Sequence, residues 1–237
     1  MSLGVEFVAP HEKGRKFSED FRVRLSDTYA DGTLRLDAAA RFLQDIATDD
    51  WDATGIGDED TWVVRRTAMR VAPGAVWPHY KDRITLETWC GGYGAAWAER
   101  RTNFYFEGKL QLEAISLWVP IDSRGVPQRL RESFFEVFGE ALNGRKISGK
   151  VPTPELEEGA IRQSWPLRHA DLDIVGHVNN AAIWQAITEV VDSPVSEIAV
   201  MHHGPVEAGH VVELAHSPGH VWLIVDGEPR VSCLYFS

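Results

Sequence analysis

Two segments of the chain place apolar residues three and four positions apart, the spacing that lines one face of an α-helix. In residues 36–50 they are Leu36, Ala39, Ala40, Leu43, Ile46 and Ala47, and in residues 179–191 they are Ile183, Trp184, Ile187, Val190 and Val191. The second segment runs into Asp192, Ser193 and Pro194, and proline cannot continue the hydrogen bonding of a helix. The pattern therefore predicts two helices, each with one apolar face.

Each predicted helix is followed by β-prone or alternating segments separated by short glycine-containing turns. In the first half these segments are 62–71, 84–89, 96–106 and 110–120, with a turn at 107–109. In the second half they are 195–201, 211–215, 221–225 and 230–236, with a turn at 226–228. A helix followed by several antiparallel strands is an α+β unit, and the pattern predicts two of them.

The two halves also resemble each other residue by residue. A shift of 144 positions lays residues 21–50 on 165–194 and matches Arg24 with Arg168, Asp27 with Asp171, Gly32 with Gly176 and Leu34 with Val178. One such unit leaves a sheet edge open, and pairing two units would close it. We therefore predict an α+β fold of two tandem units, each a central helix wrapped by an antiparallel sheet. The predicted units are residues 1–138 and 161–237, joined by a glycine-, proline- and charge-containing linker at 139–160.

The segment 171–180, Asp-Leu-Asp-Ile-Val-Gly-His-Val-Asn-Asn, lies where the second helix is predicted to begin. Backbone N–H groups lack partners at such a position and the helix dipole is positive. An oxyanion formed from a carbonyl group would be stabilised there. Gly176 would let a substrate approach the backbone closely, and Asp173 would act as a general base or orient a water molecule.

Capping is the ordinary role of Asp, Asn and Gly before a helix. We assign that structural role to Asp171, because Asp27 occupies the matching position in the first half. Asp173 and His177 have no such counterpart, since a tyrosine and a threonine stand in the matching positions. The shared positions are typical of scaffold, so the unshared polar pair predicts chemistry.

Charge and composition narrow the function. The 24 Lys and Arg against 35 Asp and Glu give a net charge of −11, which argues against nucleic-acid binding. Four basic clusters remain, each either a docking surface for an acidic partner or a solvated face: Arg65-Arg66, Lys81 with Arg83, Arg100-Arg101, and Arg145-Lys146 with Lys150. Cys90 and Cys233 form no disulfide framework, and neither they nor the histidines between 202 and 220 match a metal-ligand spacing, so we expect no metal and no cofactor.

The sequence also predicts a location. The first residues carry no basic region followed by an apolar one, and no apolar run approaches the ~20 residues that a membrane helix needs. We therefore expect a soluble, cytoplasmic protein that does not enter a membrane.

Residues 166–191 resemble the signature of hotdog thioesterases, in which an Asp, two spacer residues and Gly-His-Val-Asn-Asn open the central helix. Over residues 16–236 the chain is similar to the acyl-acyl-carrier-protein thioesterase family, whose members carry two hotdog units in one chain. Family-like segments in the first half are 43–47, 61–64, 86–89, 116–119 and 121–122. The resemblance implies hydrolysis of fatty acyl-acyl carrier protein (acyl-ACP) to free fatty acid and ACP, with a degenerate site in the first unit.

The resemblance also implies residue roles. Asp173 matches the family's catalytic aspartate, His177 its histidine on the same loop, and Glu207 a glutamate on a following strand. Water would be activated by this group, with Gly176, Val178 and Asn179 placed around the substrate and the oxyanion.

Two positions depart from the family pattern. Val175 stands where many members have asparagine, so the hydrogen bond of that side chain is absent or is made by Asn179 or a backbone group. Ala208 stands where plant members carry a cysteine, so a cysteine nucleophile is untenable at that position.

Three alternatives remain open at this point. They are an acyl-coenzyme A thioesterase, a hotdog hydratase acting on an enoyl thioester, and a non-catalytic acyl-thioester binding protein, for which Val175 is the main support. The partner is accordingly ACP or a coenzyme A thioester. The sequence leaves open the acyl chain length and whether the chain forms a homodimer. Trp51 and Trp184 are candidates for lining an acyl tunnel, whereas core packing is expected for most of the nine tryptophans.

Overall fold

The computed structural model describes residues 3, 5–57, 61–191 and 194–237. The first half contains β1 (Phe17–Arg22), α1 (Leu36–Asp52), β2 (Thr61–Val71), β3 (Arg83–Tyr93), β4 (Ala98–Phe106), β5 (Lys109–Ile121) and α2 (Glu132–Leu142). The second half contains β6 (Ile161–Trp165), α3 (Asn180–Thr188), β7 (Glu197–His202), β8 (Val212–Ser217), β9 (His220–Val225) and β10 (Glu228–Phe236). Both predicted helices and all eight predicted strands are therefore present.

All described strands form one antiparallel sheet of ten strands in the order β1-β3-β4-β5-β2-β7-β10-β9-β8-β6. The order within the second unit, read outward from β7, repeats the order of the first unit read outward from β2. The two units meet where β2 pairs with β7, with Thr67 opposite Val200 and Ala68 opposite Ala199. This pairing, here called the seam, closes the sheet edge that each unit alone would leave open. The predicted α+β fold of two tandem units is confirmed.

The two central helices lie on the same face of this sheet and share one core. Ile46 of α1 and Ile187 of α3 are fully buried, as is Val200 of the seam strand β7. Because the buried residues of both units belong to the same cluster, the apolar stripes predicted from the sequence are packed against one another as well as against the sheet.

Helix α3 ends at Thr188, earlier than the predicted residue 191, and Asp192 and Ser193 of the predicted stop lie outside the described residues. Helix α2 was not predicted. It runs through the predicted linker boundary at residue 138 because Phe134, Phe138 and Leu142 bury one face in a second apolar cluster. Helix α2 ends at Leu142. We propose that residues 143–160 join the two units.

Two further strands escaped the sequence analysis. β1 and β6 form the two outer edges of the sheet, and most of their side chains are exposed. Edge strands carry charged and polar residues on their open side, so alternation of apolar residues is weak there. No helix in the described part of the chain is long and apolar enough to span a membrane.

Candidate functional site

The segment before each central helix is built on the same hydrogen bonds. The Asp171 carboxylate accepts the N–H of Arg168 (2.8 Å), and its carbonyl accepts the N–H of Asn179 (2.7 Å). In the first unit Asp27 accepts the N–H of Arg24 (2.7 Å) and of Arg35 (2.9 Å) in the same way. Both aspartates are buried. The structural role predicted for Asp171 is confirmed by these contacts.

The charge of Asp171 is expected to stabilise the fold at neutral pH. Burial alone would raise the pKa of this carboxyl, but the hydrogen bonds and the charge of Arg168 outweigh burial and lower it from its ordinary value of 3.8. A lowered folded-state pKa contributes stability above the unfolded-state pKa, and that stability is lost as the pH falls through the folded-state pKa. Asp171→Asn should therefore reduce the free energy of unfolding, measured by urea denaturation, more at pH 7 than at pH 3. An equal loss at both pH values would mean that charge contributes nothing.

Between Asp171 and α3 the chain makes a tight turn, here called the Asp173 loop (residues 172–178). The N–H of Asp173 donates to the carbonyl of His177 (2.8 Å), and the N–H of Gly176 donates to the carbonyl of Asp173 (3.1 Å). Gly176 has φ +82°, a left-handed conformation that favours glycine. The first unit repeats this turn with Tyr29, Gly32 and Thr33, and Gly32 has φ +88°. The turn itself is thus shared scaffold.

The backbone N–H groups of Gly176, Val178 and Asn179, predicted to surround the oxyanion, are all engaged within the protein. Gly176 donates to Asp173, Val178 donates to the carbonyl of Val206 (2.7 Å), and Asn179 donates to that of Asp171. The Asn179 side chain is also used, because its oxygen caps α3 by accepting the N–H of Ala181 (2.8 Å). The N–H groups of these three residues are therefore not free in this structure, and α3 begins at Asn180, four residues after Gly176.

Within the described part of the chain, two N–H groups in the first turn of α3 have no partner, those of Asn180 and Ala182. Unpaired donors at a helix N-terminus are suited to an oxyanion. The side-chain amide of Asn180 likewise makes no hydrogen bond to a described residue, and Asn180 lines a cavity together with Asp173. The sequence analysis missed Asn180 because a pair of asparagines does not show which one caps the helix.

The two oxygens of the Asp173 carboxylate differ, because one accepts hydrogen bonds within the loop and the other accepts none from the described residues. Oδ1 accepts the N–H groups of Val175 (3.0 Å) and His177 (3.1 Å) and so fixes the turn. Oδ2 makes no hydrogen bond to any residue that the structure describes. Val175 is 60% exposed, so its side chain takes no place in the cavity beside Asp173. One carboxylate oxygen is therefore available to a water molecule.

His177 and Glu207 lie beside Asp173. Nε2 of His177 is 3.7 Å from a carboxylate oxygen of Glu207, and the two residues form an antiparallel bridge. The side chains are 44% and 51% exposed, on the solvent side of the loop. The N–H of Glu207 donates to Nδ1 of His210 (3.0 Å), which fixes the following turn. The three residues matched to catalytic positions thus lie together, and the corresponding bridge of the first unit joins Thr33 and His79.

A cavity of roughly 330 Å³ lies against the Asp173 loop. This volume falls within the ~300–1,000 Å³ of small-molecule sites. Asp173 and Asn180 are its lining residues from the second unit. The other walls come from the first unit: Gln44, Ala47, Thr48, Trp51 and Asp52 of α1, Trp62, Cys90, Ala98, Arg100 and Trp118 of the strands, and Phe134 of α2. Trp51 lines it as predicted, whereas Trp184 is buried in the main core.

A buried ion pair stands behind the cavity wall. Asp50 of α1 is 1% exposed and accepts hydrogen bonds from Arg100 (2.6 Å) and Arg15 (2.7 Å). Because Arg100 also lines the cavity, this contact neutralises a charge that would otherwise face a bound molecule.

Both cysteines and His202 are buried, and burial shifts the pKa of each. Burial raises the pKa of the Cys90 thiol to about 11 and also raises the pKa of Cys233, so both stay protonated at neutral pH. Burial lowers the pKa of His202 to about 4, and that ring is neutral at pH 7. Among the described residues no group of three His, Cys, Asp or Glu side chains could hold a metal ion.

Three arginines of the basic clusters considered as a docking surface are paired with acidic side chains of the protein itself. Arg101 is buried against Glu99 (2.6 Å), and Arg145 contacts Glu99 (3.0 Å) and Glu6 (2.8 Å). Arg100 is paired with Asp50. These arginines stabilise the fold and are not free for an acidic partner.

Comparisons with known proteins show which family the sequence matches. The sequence matches the acyl-ACP thioesterase N-terminal domain over residues 14–136 and the acyl-ACP thioesterase C-terminal domain over residues 155–230. Rv2001, an uncharacterised protein of Mycobacterium tuberculosis, is 24% identical over 182 residues, which cover 75% of this chain and 71% of that protein.

Two solved structures share the whole architecture. The 12:0-ACP thioesterase from Umbellularia californica has a TM-score of 0.78 and 20% identity, with 93% of this chain and 96% of that chain covered. An acyl-ACP thioesterase from Bacteroides thetaiotaomicron has a TM-score of 0.77 and 17% identity, with 93% and 98% covered. At these identities the structures establish the double hotdog fold, and the two matched domains establish the family. The chain belongs to the acyl-ACP thioesterase family, a family of thioester hydrolases.

Proposed function

We propose that the chain hydrolyses fatty acyl-ACP in the cytoplasm, without metal or cofactor, by activating a water molecule at Asp173. The observation that carries this proposal is the cavity, because one hydrogen-bond-free oxygen of Asp173 and the start of α3 meet a ligand-sized space at the same place. An acyl chain placed in the cavity brings its thioester carbon to Asp173. The seam joins the two units within one chain, so the proposed site needs no residue from a second copy of the chain.

In this mechanism Oδ2 of Asp173 accepts a proton from water as the water oxygen attacks the thioester carbon. The carbonyl oxygen becomes an oxyanion, which the free N–H groups of Asn180 and Ala182 are placed to stabilise. The C–S bond then breaks, and the proton that Asp173 took from water passes to the thiolate of the carrier, directly or through His177, so that both residues return to their starting states. Free fatty acid and the thiol of the carrier are the products.

His177 and Glu207 are assigned a role on the leaving-group side. Their side chains are half exposed, whereas the cavity lies on the Asp173 side of the loop. Glu207 lies 3.7 Å from the imidazole on the side where the thiol departs toward solvent, and Nδ1 of His210 accepts the backbone N–H of Glu207, which fixes the turn that carries it. The structural environment supports this placement and does not require a cysteine, since Cys90 is protonated and buried.

The test is release of free thiol from acyl chains of graded length on ACP and on coenzyme A. We expect thiol release from acyl-ACP, with kcat/KM at least about tenfold above that for acyl-coenzyme A, the equivalent of about 1.4 kcal/mol. A higher kcat/KM on coenzyme A would assign the chain to the alternative carrier. Absence of thiol release from every substrate would leave the non-catalytic binding protein as the function, provided that the same chains bind.

A further inference from the structure

A second, smaller cavity lies beside the first. Its volume is roughly 20 Å³, which is room for about one water-sized group. Ile56, Pro120 and Leu130 supply apolar walls. Among the described residues, the two cavities share three lining side chains, all of them aromatic: Trp51, Trp62 and Phe134. These three rings, here called the partition, therefore stand between the two spaces.

The rings of the partition are packed against one another. The ring centroids of Trp51 and Trp62 are 5.5 Å apart, and those of Trp62 and Phe134 are 6.0 Å apart. Both distances fall within the ~4.5–7 Å of packed aromatic pairs, so no alkyl chain fits between the paired rings. Phe138, on the same helix as Phe134, packs against Phe134 (5.0 Å) and Trp51 (6.4 Å). Ring atoms therefore close the first cavity on this side.

The partition lies on the path of a long acyl chain. Asp173 and Asn180 line the first cavity and not the second, so a chain whose thioester lies at Asp173 reaches the second cavity only past the partition. Each methylene that enters free apolar space improves binding about fourfold. A methylene that meets the partition gains nothing, because it must displace rings that are packed as closely as a protein interior. Chains longer than the first cavity are thus disfavoured.

We propose that the partition sets the longest acyl chain that this protein accepts, and that removal of one ring joins the second cavity to the first. This inference rests on the proposed function, since it concerns the substrate of the same site. Trp51, Trp62 and Phe134 are then the residues that determine chain length. Phe134 is the best position for a test because it is only 4% exposed, so a smaller side chain there creates space inside the protein.

The experiment measures kcat/KM for saturated acyl thioesters of graded length on one carrier. Phe134→Ala removes six ring carbons, and since the surroundings relax partly into such a space, we expect the preferred chain to become about two to four carbons longer. The ratio of kcat/KM for that longer chain to kcat/KM for the wild-type optimum should rise at least about tenfold, from about fourfold for each methylene buried. Phe134→Leu should shift the preference in the same direction by less.

Phe135→Ala is the matched control. Phe135 lies on the same helix and its ring packs against that of Phe134 (5.5 Å), but it is not among the residues that line either cavity. Its removal should leave the preferred chain length unchanged. A shift as large as that of Phe134→Ala would overturn the proposal, because loosened packing would then be the cause. If circular dichroism shows that Phe134→Ala is unfolded, Phe134→Leu and Trp62→Phe provide the same test with smaller changes in volume.

A binding measurement separates this proposal from the hydrolytic function. Non-hydrolysable amide analogues of the same chains can be titrated while tryptophan fluorescence is followed, since Trp51, Trp62 and Trp118 line the first cavity and remain in the Phe134 variants. A longer preferred analogue in these variants would support the proposal even if no thioester were hydrolysed. Hydrolysis with an unchanged chain-length preference in the folded Phe134 variants would overturn it and leave the proposed function standing.

Discussion

Asp173→Asn is expected to lower kcat for acyl thioester hydrolysis by about 10²–10⁴-fold, the usual contribution of a general base. Asparagine keeps a side-chain oxygen that can accept the N–H groups of Val175 and His177, so the Asp173 loop should keep its shape. The lost property is the negative charge that takes the proton of water. The measurement is single-turnover thiol release from acyl-ACP, together with circular dichroism to show that the variant is folded.

The control lies in the equivalent loop of the first unit. Asp31 accepts the N–H of Thr33 (2.9 Å) and its hydroxyl (2.7 Å), and it is not among the residues that line the cavity. Asp31→Asn should leave kcat unchanged. If Asp173→Asn retains activity while Asp173→Ala loses it, the carboxylate acts only by holding the turn, and the proposed base must be sought elsewhere.

Asp50→Ala is expected to lower the free energy of unfolding by about 3–5 kcal/mol, the usual cost of removing one partner of a buried ion pair. The reason is that Arg100, itself buried, would lose its 2.6 Å contact and remain charged in the interior. Urea denaturation should show a lower midpoint with an unchanged slope. A loss of this size is a large part of the total stability of a typical domain.

Two variants test the cause of that loss. Asp50→Leu combined with Arg100→Met removes both charges and should recover much of the stability, because a well-packed apolar pair costs less than an uncompensated charge. Glu213→Ala breaks the surface pair with Arg162, where both side chains are 48% exposed, and should leave the midpoint almost unchanged. A double variant as unstable as Asp50→Ala would show that packing, not charge, is the cause.

The sequence predicts most of the fold because the fold is periodic. Apolar spacing identifies α1 and α3, which bury one face, and runs of β-prone residues identify the inner strands, which are largely buried. The sequence does not predict the edge strands β1 and β6, because both their faces are largely exposed. It also does not predict helix α2, because Gly139 resembles a linker residue.

The candidate site is predicted in part. The segment that carries Asp173 and His177 is continuous in sequence, so a motif can identify it, and the comparison of the two halves separates Asp171 from Asp173. The use of the backbone N–H groups cannot be predicted in that way, because the partner of Val178 is Val206, which is far away in sequence. The cavity cannot be predicted from the sequence either, because its walls come from α1, α2 and four strands of the first unit, which are far apart in sequence.

The cavity wall and the Asp173 loop come from different units, which meet at the seam. The wall that contacts a bound chain belongs almost entirely to the first unit, whereas the loop proposed for hydrolysis belongs to the second. Mutations in α1 or in β2 to β5 can therefore alter which chain is accepted while the reacting groups keep their geometry. Because the cavity wall and the Asp173 loop belong to different units, exchange of first halves between relatives offers a direct test of which half sets substrate preference.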